Sequence, residues 1–153
     1  MSAAGRFDHL FASNASSYHK LPGLRSMRLI KIKQCKDDEP LSCDLNIVSD
    51  HKASPAYNAL SYCWGDDPVF HVIKVNGEEL LVTSDLHLAL KRLRTKSESK
   101  WVWVDAICIN QHDRLERNQQ VKNMREVYER ADKVIVWLVP EDEHSLNAFS
   151  LIQ

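Results

Sequence analysis

Two stretches constrain the fold more than any others: WVWVDAI, 101–107, and KVIVWLV, 133–139. Apolar residues follow one another without alternation, so a strand formed by either would be water-averse on both faces. Such strands need cover on both sides, which points to a sheet sandwiched between helices. The intervening sequence is helical in pattern. Asp113-Arg114-Leu115-Glu116 resembles a capping box, with Asp in place of Ser or Thr. Val121, Met124, Val127, Tyr128 and Ala131 then fall on one helical face. Upstream, Ser84 is expected to cap a helix whose Leu86, Ala89, Leu90 and Leu93 form one stripe. Downstream, residues 141–153 are expected to open another helix. The alternation from residue 84 onward favours a parallel sheet with right-handed crossovers. It also predicts that strands 101–105 and 133–138 are central neighbours.

The front of the chain adds strands. MRLIKIK, 27–33, switches its apolar side midway, so strict period two fails there. CDLNIV, 43–48, alternates more cleanly and is expected to pair with it. YNALSYCWG, 57–65, reads as a strand ending in a glycine. Asn76-Gly77 joins two β-prone runs, and both residues tolerate the positive φ of a tight hairpin. The prediction is a three-layer α/β fold with a mostly parallel central sheet and an N-terminal antiparallel strand and hairpin extension. Residues 1–22 read as a flexible arm and 23–153 as one domain, in keeping with 153 residues.

A formal net charge of -1 gives no bulk electrostatic support for nucleic-acid or membrane-surface binding. No apolar run approaches the roughly 18 residues of a membrane span. The first 20 residues lack the apolar block of a signal peptide, so a cytoplasmic protein is expected. None of the four cysteines forms a Cys-x-x-Cys pair, so no zinc site is expected. Cys63 and Cys108 lie in apolar runs, as small buried hydrophobes do. Cys108 with His112 could form a thiol–imidazole pair, but nothing in the sequence orients the imidazole. Asp66-Asp67 reads as an exposed turn before it reads as a magnesium site. Gly-x-x-x-x-Gly-Lys and Gly-x-Gly-x-x-Gly are both absent, which disfavours the nucleotide sites they build.

The candidate site follows from the strand ends. Ligands of open parallel sheets bind beyond the carboxyl ends of the strands, where helix N-termini also point. Asp105 sits at such an end, and Asn110 and Gln111 lie in the loop feeding the next helix. Asp105 could bind sugar hydroxyls, and the two carboxamides could donate and accept hydrogen bonds. Trp64 offers a flat face for an aromatic ring, and Gly65 permits close approach. Structural alternatives stand beside each: Asp105 bonded to loop backbone, Asn110 and Gln111 shaping the turn, Trp64 covering the core. Glu116 has a ready role as a helix cap.

Four strings resemble the heterokaryon incompatibility (HET) domain of filamentous fungi. They are YNALSYCWG at 57–65, TSDLHLALKRLR at 83–94, WVWVDAICINQHDRLERNQQVKNMREVYERA at 101–131 and KVIVWL at 133–138. YHKLPGLRSMRLIKI, 18–32, resembles the lead-in often found before that domain. Two departures are visible: Val139 stands where the family usually has glycine, and the family's domain usually runs further, so a C-terminal truncation is expected. The resemblance implies non-self recognition ending in programmed cell death, and a TIR-like fold. It implies cleavage of the N-glycosidic bond of NAD or a related nucleotide, with NAD as substrate rather than cofactor. Glu116 or Asp105 would then be the catalytic carboxylate stabilising an oxocarbenium-like transition state. The other implied role is a non-enzymatic module that self-associates or engages another incompatibility or sensor protein. An inactive truncated copy is the third.

Overall fold

The computed structural model describes residues 18–36, 38–62, 69–138 and 149–152. Eight strands form one mixed sheet: β1 (Met27–Ile32), β2 (Ser42–Val48), β3 (Asn58–Tyr62), β4 (Phe70–Val75), β5 (Glu78–Thr83), β6 (Lys100–Trp103), β7 (Lys133–Trp137) and β8 (Phe149–Ile152). Three α-helices accompany them: α1 (Ser84–Leu93), α2 (Asp105–Cys108) and α3 (Arg114–Arg130). The strand order is β5-β4-β2-β1-β6-β3-β7-β8.

The fold is α/β, but the sheet is not mostly parallel. Parallel pairing is confined to β6-β3-β7 and to the short β2–β4 contact; β1–β2, β1–β6, β4–β5 and β7–β8 are antiparallel. The cause is β1. It enters the middle of the sheet against β6 rather than forming an outlying extension. Its residues Met27, Leu29, Ile30 and Ile32 are all buried. Burial of both strand faces explains why period two fails in its sequence.

Strands β6 and β7 are not neighbours, because β3 runs parallel between them, with Ala59 opposite both Trp103 and Val134. Sequence gave each strand's apolar character but not which strand would be inserted. The apolar run from 101 also breaks earlier than expected. After Trp103 the chain turns into α2, where the N–H groups of Ile107 and Cys108 both bond to the Val104 carbonyl. The expected helix over 141–153 is corrected where it can be seen. Residues 149–152 form a strand pairing with β7, which satisfies backbone groups otherwise left on an open edge. Residues 141–148 and the position of Val139 lie outside the described residues.

Local chemistry elsewhere follows the sequence closely. Asn76 (φ 52) and Gly77 (φ 80) make the β4–β5 turn. Helix α1 buries Leu86, Ala89 and Leu90, but its cap is Thr83, whose hydroxyl accepts from the N–H of Leu86, and not Ser84. Among the described residues no helix is long and apolar enough to cross a membrane.

Candidate functional site

Arg28 is the second residue of β1, between Met27 and Leu29, and only 1% of it is exposed. A guanidinium so placed needs a partner, since an unpaired buried charge is very costly. The partner is Glu116, in the first turn of α3, whose side chain is 8% exposed. Arg28 Nη1 bonds Glu116 Oε1 and Nη2 bonds Oε2 at 3.0 Å, a two-pronged fork. Arg28 also donates to the carbonyls of Cys108 (3.3 Å) and His19 (2.7 Å). It lies 5.1 Å from the Tyr18 ring centre, a cation–π contact, and the Tyr18 hydroxyl donates to the Ile107 carbonyl at 2.7 Å. Tyr18, in the stretch expected to be a flexible arm, is thus tied to the core.

Glu116 does not close a reciprocal capping box. Half the box forms: the Asp113 carboxylate accepts from the Glu116 N–H at 3.1 Å. The Asp113 N–H, however, goes to the Asn110 carbonyl, and Glu116 Oε1 instead accepts from the Asn110 N–H at 3.0 Å. The fork with Arg28 draws the carboxylate away from the helix start.

These bonds explain why the most apolar strand ends in a carboxylate and two carboxamides. The Asn110 side chain accepts from the His112 N–H at 3.2 Å, which shapes the turn. The Gln111 amide donates to the Asp105 carbonyl at 3.0 Å, and the Asp105 carboxylate accepts from the Ala106 N–H at 2.8 Å. The polar end of the motif therefore folds a tight loop between α2 and α3 and hands that loop to Arg28. Trp64 and Gly65, with Cys63, Asp66 and Asp67, lie outside the described residues.

The inward stripe of α3 differs from the expected one. Val121 is 56% exposed, whereas Gln120 and Val127 are buried. Gln120 donates to the Ser26 carbonyl at 2.9 Å, and Asn123 to the Leu24 carbonyl at 2.7 Å. Residues 116, 120 and 123 thus meet 28, 26 and 24 in turn, a polar ladder between one helix face and an extended strand entry. Sequence reasoning missed Arg28, Gln120 and Asn123. The one visible signal was an arginine inside the apolar run MRLIKI.

Cys108 is fully buried, and burial pushes its thiol up to about 12, while His112 is exposed. The thiol keeps its proton at neutral pH, so no activated thiol–imidazole pair forms.

Residues 57–153 match the family model described as heterokaryon incompatibility protein (HET). The chain belongs to the HET family. It is 40% identical over 104 residues to heterokaryon incompatibility protein 6, OR allele, of Neurospora crassa. That alignment covers 60% of this chain and 15% of the relative, so the chain spans a small part of the relative's length. No solved structure matches the chain. The HET match begins at Tyr57, yet β1 and β2, which precede it, lie inside the sheet, and Arg28 holds the motif loop.

Proposed function

We propose that this chain is the HET unit of a cytoplasmic protein acting in fungal heterokaryon incompatibility and the death of fused cells. Its chemistry is cleavage of the N-glycosidic bond of NAD or a related nucleotide. The observation carrying this reading is the position of Asp105, half-buried just beyond the carboxyl end of β6, in the parallel part of the sheet. Asp105 is a better candidate than Glu116 for stabilising a positive transition state, because the fork to Arg28 already neutralises Glu116. The nicotinamide leaves as a neutral ring, so no protonating acid is required. Incubating the concentrated protein with NAD and following free nicotinamide tests this. Release by the parent and its loss in Asp105→Asn are expected. No release by the parent would sink the enzymatic reading.

A second reading, assembly with another copy or a sensor protein, is favoured by the edge hairpin. Val72 and Leu81 are cross-strand partners there, and both are exposed. Concentration-dependent sedimentation, abolished by Val72→Lys, is its expected signature.

A further inference from the structure

Strand β5 ends the sheet among the described residues, and its neighbours fix which of its backbone groups point outward. Asn76 and Gly77 alone join β4 to β5, so Val75 and Glu78 form the first hydrogen-bonded pair. Bonding then alternates along the antiparallel ladder. Two bonds outside the ladder carry the same parity. The Lys74 N–H turns away from β5 to the Leu41 carbonyl at 2.9 Å, and the Ser84 N–H reaches the Val69 carbonyl at 3.0 Å. Glu78, Leu80 and Val82 therefore bond to β4, while Glu79, Leu81 and Thr83 turn their N–H and C=O groups outward. Such a row is a template for another strand. The sequence of β5, EELLVT, has no proline or lysine to block it, and its register with β4 is unbroken.

The side chains select the occupant. Val72 and Leu81 are opposite one another and both exposed, with Lys74 opposite Glu79 and Phe70 opposite Thr83 on the same face. An antiparallel second copy must set outward residues against outward residues, which leaves few registers. Centred on Glu79, the pairing would set two carboxylates face to face, and like charges directly opposite are destabilising. Centred on Leu80, it would set Leu81 against Glu79. Centred on Val82, it would run Glu79 against Asp85 in the other copy's α1. Centred on Leu81, that residue meets its own counterpart and each Glu79 meets a Thr83. All three outward residues are then used. The Val72 and Leu81 of both copies form one unbroken apolar row across the joined sheets.

We propose that β5 pairs antiparallel with β5 of a second copy of this chain, about a twofold axis at Leu81. This rests on the assembly reading given above and names its surface and register. The contact is isologous, so it closes as a dimer. It consists of one short strand and one apolar row, which makes the association weak and concentration-dependent, as small interfaces are.

Mild oxidation of the parent, Leu81→Cys and Glu79→Cys at high concentration tests the register, read as disulfide dimer on non-reducing gels. Opposed residues of a hydrogen-bonded antiparallel pair have Cα atoms about 5.5 Å apart, within disulfide reach. The two copies of residue 79 would instead lie roughly 14 Å apart along the strands. Leu81→Cys is expected to give severalfold more dimer than Glu79→Cys or the parent. Leu81→Pro removes an N–H that β4 does not use, a position where an edge strand tolerates proline. It is expected to keep the parent's far-UV circular dichroism and to sediment as a monomer. A folded Leu81→Pro that self-associates like the parent would overturn the proposal. So would equal cross-linking of the two cysteine variants. Either result, with a parent that still sediments as a concentration-dependent dimer, would leave assembly through another surface. A parent that stays monomeric, with no Leu81→Cys cross-link, would overturn self-pairing and self-association together, leaving the edge to a strand of a different protein.

Discussion

Arg28 and Glu116 behave as one unit, and the two halves are not equivalent to ordinary surface charges. Replacing Arg28 by Met leaves a carboxylate buried at 8% exposure with its fork gone. The expected loss is about 3–5 kcal/mol of stability, read from urea denaturation. Arg28→Met combined with Glu116→Leu is expected to recover most of it, since the unpaired charge disappears with the second change. Glu116→Gln discriminates between a cap and an ion-pair partner. A capping role would cost about 1 kcal/mol or less. Loss of a charge-assisted fork to a buried guanidinium is expected to cost about 2 kcal/mol. A melting temperature unchanged in Glu116→Gln would remove Arg28 as the residue that governs this position.

At the scale of elements, the β4–β5 hairpin and α3 show how local chemistry and packing divide the work. Gly77 has φ +80 and open space around its Cα, so any penalty for a side chain there comes from the backbone alone. Gly77→Ala is expected to cost about 1 kcal/mol, with the fold retained in far-UV circular dichroism. Asn76 adds a tertiary bond, its side-chain oxygen accepting from the Leu45 N–H at 2.9 Å. The hairpin is thereby tied to β2 as well as closed on itself. Helix α3 works the other way. Its buried stripe includes Glu116, Gln120 and the partly buried Asn123, which an apolar template does not recognise. Gln120→Leu would leave the Ser26 carbonyl without its donor. The expected cost is about 1–3 kcal/mol, measured by the same denaturation.

For the whole molecule, two outcomes follow from where the chain's first half lies. A chain beginning at Tyr57 would retain the matched HET segment but lose β1 and β2 from within the sheet. It is expected to lack the near-UV circular dichroism of a fixed core, whereas a chain beginning at Tyr18 keeps it. A folded, cooperatively melting fragment from Tyr57 would contradict this sheet order. Buried acids also set an alkaline limit. Burial pushes the Cys43 and Cys108 thiols from about 9 up to about 12, and the Tyr57 phenol from 10 to about 12. Each holds its proton longer in the folded state, so its contribution is complete below its unfolded pKa. That contribution is lost as pH rises from about 9 toward 12, by up to about 1.4 kcal/mol per pH unit per group. The urea midpoint is expected to fall between pH 8 and pH 10.5; a flat profile would place these groups in water.

What the sequence determined by itself was local and periodic. Two runs of consecutive apolar residues specified strands covered on both faces, and Asn76-Gly77 specified a turn, because few other residues accept its φ values. The HET strings carried the family. What only the tertiary structure decided was which elements meet. No periodicity reveals that β3 separates β6 from β7, since strand order depends on the connections as a whole. Nor does it reveal that Arg28 would reach across 88 positions to Glu116. A capping box is a short-range pattern, and here a buried guanidinium, whose one carboxylate partner among the described residues is Glu116, outcompetes the helix's own N–H for it. Asn110 and Gln111 were legible as special but not as loop-shaping, because a carboxamide bonds a ligand and a backbone with the same atoms. Only the positions of the partners separate the two.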